Sequence, residues 1–255
     1  MDLAVRDGAR LAFEDRPGGP GTPVLFLHGA MSSRATFSPQ MEHFGGRRRI
    51  ALDLRGHGQS EVTEHGYDVP ALARDAADLC DHLELESVVL IGHSLGGAAA
   101  LQLAADDAAR VVGLAILDSP IMIPPDFRAG VEQLAAAARS PMYDEAINGF
   151  LGQFAGIDEA VRRQVFADLA NTPQEVVASC LESTVAFDSE GAATECRMPI
   201  LYVSSGPWFA DVGRFRDLCP QLVTAQTMGS GHYHHLEVPR QVNALLDRFL
   251  EINGL

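Results

Sequence analysis

The stretch "SVVLIGHSLGGAAALQLAADDAAR", residues 87–110, constrains the chain more than any other. Val88 to Ile91 read as a buried strand, and the alanine-rich segment from Gly97 reads as a helix. Only Gly92-His93-Ser94-Leu95-Gly96 lies between them. A turn this sharp holds Ser94 at strained backbone angles and lifts its hydroxyl above the strand end. Glycines two residues to either side relieve the collision with the neighbouring strand and helix. The helix that follows aims its N-terminal dipole at any negative charge developing there. A lone G-x-S-x-G pentapeptide occurs by chance; in this strand–turn–helix setting it marks Ser94 as the candidate nucleophile.

The rest of the chain repeats the alternation. "LAVRDGARLAFED" reads as a hairpin turning at Asp7-Gly8, a favoured type I′ pair. "TPVLFLHG" and "RRRIALDLRG" are short apolar runs that end in glycine-containing loops, as buried parallel strands do. In "VPALARDAADLCDHLE", Leu72, Ala76, Leu79 and Leu83 share one helical face. The strand-like "VVGLAILDS", "PILYVSS" and "QLVTAQTM" and the helix "PRQVNALLDRFLEIN" complete the pattern, with Pro239 suited to a first helical turn. Such alternation predicts an α/β fold, a mostly parallel sheet with helices on both faces. Residues 120–196 break it with helix-like patterns only. They are expected to form a helical cap inserted after the sixth strand, between core segments 1–119 and 197–255, roofing the carboxyl ends of the strands.

With 34 acidic against 19 basic residues the net charge is −15, a field that repels phosphate backbones and anionic membranes. Nucleic acid is therefore not an expected partner. No apolar run approaches the ~20 residues that cross a bilayer, and the first fifteen residues show no signal core, so no membrane association and a cytoplasmic location are expected. Cys80, Cys180, Cys196 and Cys219 show no C-x-x-C spacing and are expected to be free thiols.

Two further motifs belong with Ser94. "FLHGAMSS" follows a strand, and its His-Gly lets the chain fold back so that the N–H groups of Ala30 and Leu95 can serve as oxyanion donors. "MGSGHYHHLEVPRQV" supplies a base: His232 is preferred over His234 and His235. A zinc site at "HYHH" lacks a fourth ligand, so no metal is expected. Glu237 is expected to serve a helix N-terminus.

In order, "LHGAMSS", "LDLRGHGQSE", "IGHSLGG" and "GHYHHLEVP" resemble the α/β-hydrolase superfamily, specifically its single-domain, helically capped serine hydrolases. The resemblance covers nearly the whole chain. It implies an eight-stranded, mostly parallel sheet, a Ser–His–acid triad and no cofactor. It also implies that Asp53, Arg55 and His57 order a loop beneath the site. A serine at 94 sets the chain apart from members that open epoxides or displace halide with an aspartate.

One departure stands out. The resemblance places the acid a few residues past "PILYVSS", where this chain carries Trp208. Asp118, at the end of the preceding strand, is the first choice instead, since some members keep their acid there; Asp211 is the second. The other job for Asp118 is a turn before Pro120, and for Asp211 a helix cap. The reading that follows is a serine hydrolase of a small, mainly apolar carboxylic ester or lactone, with Trp208, Met31 and Met122 as candidate substrate contacts. Alternatives are a carbon–carbon bond hydrolase and a ligand receptor on a hydrolase scaffold. Monomer and homodimer are both open.

Overall fold

In the computed structural model, residues 2–5, 7–156, 158–206 and 209–255 are described, with the backbone alone at 2–4. The strands are β1 (Asp2–Ala4), β2 (Arg10–Arg16), β3 (Gly19–Leu27), β4 (Arg47–Leu52), β5 (Val88–His93), β6 (Val111–Leu117), β7 (Ile200–Ser204) and β8 (Leu222–Gln226). The helices are α1 (Ser38–His43), α2 (Val69–His82), α3 (Leu95–Asp106), α4 (Pro125–Ala138), α5 (Tyr143–Phe154), α6 (Glu159–Ala170), α7 (Gln174–Ala186), α8 (Ser189–Glu195), α9 (Val212–Leu218), α10 (His234–Glu237) and α11 (Pro239–Asn253). The strands form one sheet in the order β1-β2-β4-β3-β5-β6-β7-β8. The β1–β2 and β2–β4 pairs are antiparallel and the rest parallel.

The central strands are apolar on both faces because helices cover both. Strand alternation sends Leu25 and Leu27 into a core beneath α2 and α3, and Val24 and Phe26 into a second core beneath α1 and α11. A third cluster belongs to the inserted helices: Ile147, Leu151, Val165 and Leu181 pack together and, through Met31 and Tyr233, onto the sheet's end. The stretch 120–196 contains only helices among its described residues, but its last member, α8, belongs to the layer below. Ala192 and Ala193 enter the main core, where small side chains let α8 approach α3 closely.

The first hairpin differs from its sequence expectation. Val5 N–H donates to the Ala9 carbonyl and Gly8 N–H to the Val5 carbonyl, with Gly8 at φ 87°. That is a three-residue connection with a left-handed glycine, not a two-residue type I′ turn. The loop after β4 is held as expected. Asp53 accepts from the backbone N–H groups of Arg34 (2.7 Å) and Gln59 (2.9 Å) and from the Arg34 guanidinium. Buried Arg55 makes a two-pronged pair with Asp75 on α2 (2.6 and 3.0 Å), and removing one partner of such a pair costs roughly 3–5 kcal/mol. All four cysteines are buried and free. Among the described residues no helix is long and apolar enough to cross a membrane.

Five histidines, His28, His57, His93, His234 and His235, are buried, and burial holds all five well below the ordinary 6.5: His28 and His234 at about 4, His57 at about 3. The unfolded chain protonates them near 6.5, so below that pH it binds protons that the folded chain refuses. Stability should be complete above pH 6.5 and fall as pH drops toward 4, by up to roughly 1.4 kcal/mol per pH unit for each histidine. Burial acts oppositely on Asp168, raised to about 6, and on Asp75 and Glu237, also raised, which favours the folded state on acidification, but these are three groups against five. Thermal melts at pH 7, 6 and 5 should show a steadily falling Tm; a flat Tm would mean the histidines are charged in the folded chain.

Candidate active site

The β5–α3 junction turns at Ser94, with φ 51° and ψ −122°, a backbone conformation that L-residues seldom adopt. The glycine spacing has a steric cause. A Cβ on Gly92 would lie 2.3 Å from the Gly96 carbonyl oxygen, and one on Gly96 would lie 2.1 Å from the Leu27 carbonyl oxygen. The turn is pinned by Ser94 N–H donating to the Leu117 carbonyl (3.0 Å) and by the Ser119 hydroxyl donating to the Ser94 carbonyl (2.6 Å). Leu95 opens α3, so its N–H has no partner inside the helix. Among the described residues neither that group nor the Ala30 N–H donates to any protein acceptor, and the Ser94 hydroxyl is likewise unpaired. Ala30 reaches this point because Gly29 lets the chain pass against the nucleophile, where a Cβ would meet that of Ser94 at 2.9 Å.

His232 lies between β8 and α10. Its Nδ1 is 2.9 Å from Asp118 Oδ2. Its backbone N–H donates to the Phe154 carbonyl (3.1 Å), and its carbonyl accepts from His93 Nε2 (3.0 Å). Asp118 has no exposed surface, and at the end of β6 it adopts a left-handed φ of 47°. Both carboxylate oxygens are occupied on the side away from the histidine: Ser205 donates to Oδ1 from its backbone N–H (2.8 Å) and to Oδ2 from its hydroxyl (2.7 Å). Ser205 sits just past β7, on the loop where the resemblance looks for an acid. That loop supplies two donors to the acid of its neighbour. Nothing in the sequence marks Ser205 apart from other loop serines.

Other candidates are placed elsewhere. Asp211 caps α9, accepting from Arg214 N–H at 2.8 Å, and the structure does not bring it to His232. His234 Nδ1 meets the Thr227 hydroxyl (3.1 Å), while His235 stacks against Phe37 and His93; both rings are fully buried. Glu237 ends α10 and accepts from Gly231 N–H (3.1 and 3.2 Å), so it steadies the His232 loop rather than a helix N-terminus. Met122 does not face Ser94. At φ 44° its side chain turns into the main core and lines a separate cleft with Ile123 and Pro124. Trp208 lies outside the described residues.

Above Ser94 a cavity is lined by Met31 as well as by Ala30, Leu95, His232 and Tyr233. Phe127, Val131 and Leu134 of α4, Phe150 of α5 and Leu181 of α7 close it from above. No Asp, Glu, Lys or Arg side chain lines it among the described residues. Nor, among those residues, is any group of three or more His, Cys, Asp or Glu side chains placed to hold a metal ion. Ser94, His232 and the residues of two unpaired N–H donors, Ala30 and Leu95, line one mainly apolar pocket, an arrangement suited to acyl transfer.

The family model for the alpha/beta hydrolase fold matches residues 22–237, and the chain belongs to that family. It is 32% identical to a non-heme haloperoxidase of Rhodococcus erythropolis over 161 residues, 58% of each chain. It is 30% identical over 284 residues to a haloalkane dehalogenase of Sphingobium indicum, covering 95% of this chain and 92% of that one. Of the haloperoxidase and chloroperoxidase relatives it matches, the chain spans only 34 to 58% of their length. The structure superposes on an esterase from Exiguobacterium antarcticum with a TM-score of 0.88 at 19% identity, over 98% of this chain and 99% of that one.

Two substitutions separate the carboxylates. Ser205→Ala removes a hydrogen bond to a charged group, worth about 1.5–3 kcal/mol, and should lower ester turnover roughly 10- to 100-fold with the fold intact. Asp211→Ala should cost about 1 kcal/mol of stability in denaturant melts and leave turnover unchanged.

Proposed function

We propose that the protein is a serine hydrolase of small, mainly apolar carboxylic esters or lactones. The observation that carries this reading is the 2.9 Å contact between His232 Nδ1 and buried Asp118, with Ser94 and His232 lining one apolar cavity. Asp118 keeps the proton on Nδ1, which leaves Nε2 as the acceptor facing the cavity. Ser94 Oγ attacks the carbonyl carbon while Nε2 takes its proton. The oxyanion is met by the Ala30 and Leu95 N–H groups, donors worth roughly 2.7–4 kcal/mol each. His232 then returns the proton to the departing alcohol oxygen, or to the ring oxygen of a lactone, and an acyl-enzyme remains. Water, deprotonated by the same nitrogen, attacks the acyl carbon; the acid leaves and Ser94 is restored.

The likeness to a dehalogenase does not extend to its named reaction under this reading. A serine attacking a saturated carbon leaves an ether, which the water step cannot cleave; a carbonyl is required for turnover. The uncharged lining also favours neutral substrates. A carbon–carbon bond hydrolase acting on a carboxylate-bearing diketone would need a cation that the described lining does not offer.

Hydrolysis of p-nitrophenyl acetate and butyrate tests the proposal. Wild type should turn over both, Ser94→Ala should fall to the uncatalysed background, and Asp118→Asn should lose on the order of 10⁴ in kcat with an unchanged circular dichroism spectrum. Near-full activity of Asp118→Asn would remove Asp118 from the mechanism. A wild type inert toward every activated ester would favour a receptor on a hydrolase scaffold.

A further inference from the structure

We propose that Phe209 is a positioning residue for the catalytic imidazole and transmits the seating of the cap to it; this rests on His232 being the base. Phe209 is 4% exposed, and its ring lies over the His232 ring with centroids 4.7 Å apart and planes 28° apart. No other aromatic ring among the described residues lies so nearly parallel to that imidazole. Asp118 fixes one atom of the ring, Nδ1, while the rings of His93 (4.5 Å, 46°) and Tyr233 (5.4 Å, 76°) meet it at an angle. A flat partner on the ring's face limits the tilt that remains, and with it the sweep of Nε2 toward or away from Ser94.

Two hydrogen-bonded residues flank Phe209 in the chain. On one side Ser205 is tied twice to Asp118; on the other, Asp211 N–H donates to the Met122 carbonyl (3.0 Å). Both anchors belong to the stretch that leaves β6, the same stretch that carries the acid. The far side of the Phe209 ring meets the cap. Phe127 of α4 and Phe154 of α5 strike it edge-on, at 5.0 Å and 79° and at 5.6 Å and 62°. The Phe154 carbonyl also receives the His232 N–H, so α5 touches the base through both its backbone and its ring partner. A cap seated over a bound acyl group presses Phe127 and Phe154 onto Phe209, and Phe209 onto the imidazole. Phe209 also lines the cavity, so a plain wall is the competing role.

Kinetics with p-nitrophenyl acetate and butyrate separate the two roles. Phe209→Leu keeps an apolar wall but removes the flat face. It should lower kcat about 10- to 100-fold on both esters, with KM within about twofold, because a misplaced base costs rate whatever the acyl length. Phe209→Tyr keeps the face and should restore kcat to within about threefold of wild type. A change in KM for butyrate alone, with kcat kept, would reduce Phe209 to a wall and overturn the proposal. Phe127→Leu, which leaves both Phe209 and His232 in place, should lower kcat by a smaller factor in the same sense; an unchanged kcat would remove the cap from the relay. If Phe209→Leu fails to fold, the ring-current shift of the His232 ring protons decides. Wild type and Phe209→Tyr should show the same upfield displacement, and its absence in wild type would dismiss the stack. Asp118→Asn assayed alongside distinguishes the failures: if it stays active, the reading of His232 as a charge-supported base falls first.

Discussion

A carboxylate with no exposed surface must have its lone pairs met from within, and the site hangs on how Asp118 achieves this. Left unpaired, a buried charge costs several kcal/mol, so the protein surrounds it with one imidazole and two donors from a single serine. The demand propagates outward. It fixes the first residue past β7, it requires a left-handed residue at the end of β6, and it selects the tautomer of His232. The strained turn at Ser94 is bound into the same structure, since its backbone N–H is held by Leu117, the residue before the acid.

The inserted helices do more than cover this arrangement. Their own core reaches the sheet through Met31, next to a proposed oxyanion donor, and through Tyr233, next to the histidine. Asp168 of α6 also receives a hydrogen bond from Ser33 in the loop after β3 (3.1 Å). Residues from both the strand ends and the inserted helices therefore line the cavity above Ser94. Burial favours the neutral form of the neighbouring histidines His93, His234 and His235.

Much of this was legible in the sequence because it is local. The strand–turn–helix at Ser94, the alternating apolar runs and the amphipathic helix at 69–82 depend on neighbours within a few positions. The choice between Asp118 and Asp211 was not local. Both end or follow strands, and only the register that sets β6 beside β7 brings one of them to His232 while the other caps a helix. Ser205 and Phe209 were invisible for another reason: a loop serine and a buried phenylalanine carry no signature until their partners are in place. Met122 was misplaced because a sequence does not reveal a positive φ in a non-glycine residue, and that angle decides which way its side chain turns. Glu237 and the first hairpin went astray for similarly geometric reasons, a carboxylate that ends a short helix and folds back onto Gly231, and a turn one residue longer than composition suggests.

The pairing of β6 with β7 has a further consequence. Leu117 and Val203 are register partners, so the residues that follow the two strands face each other across a gap that two hydrogen bonds from one serine close. A carboxylate on either side of that gap is supported by a donor on the other. Here the carboxylate stands at 118, after β6, and both serine donors come from 205, after β7, so the carboxylate and its support are carried by different strands.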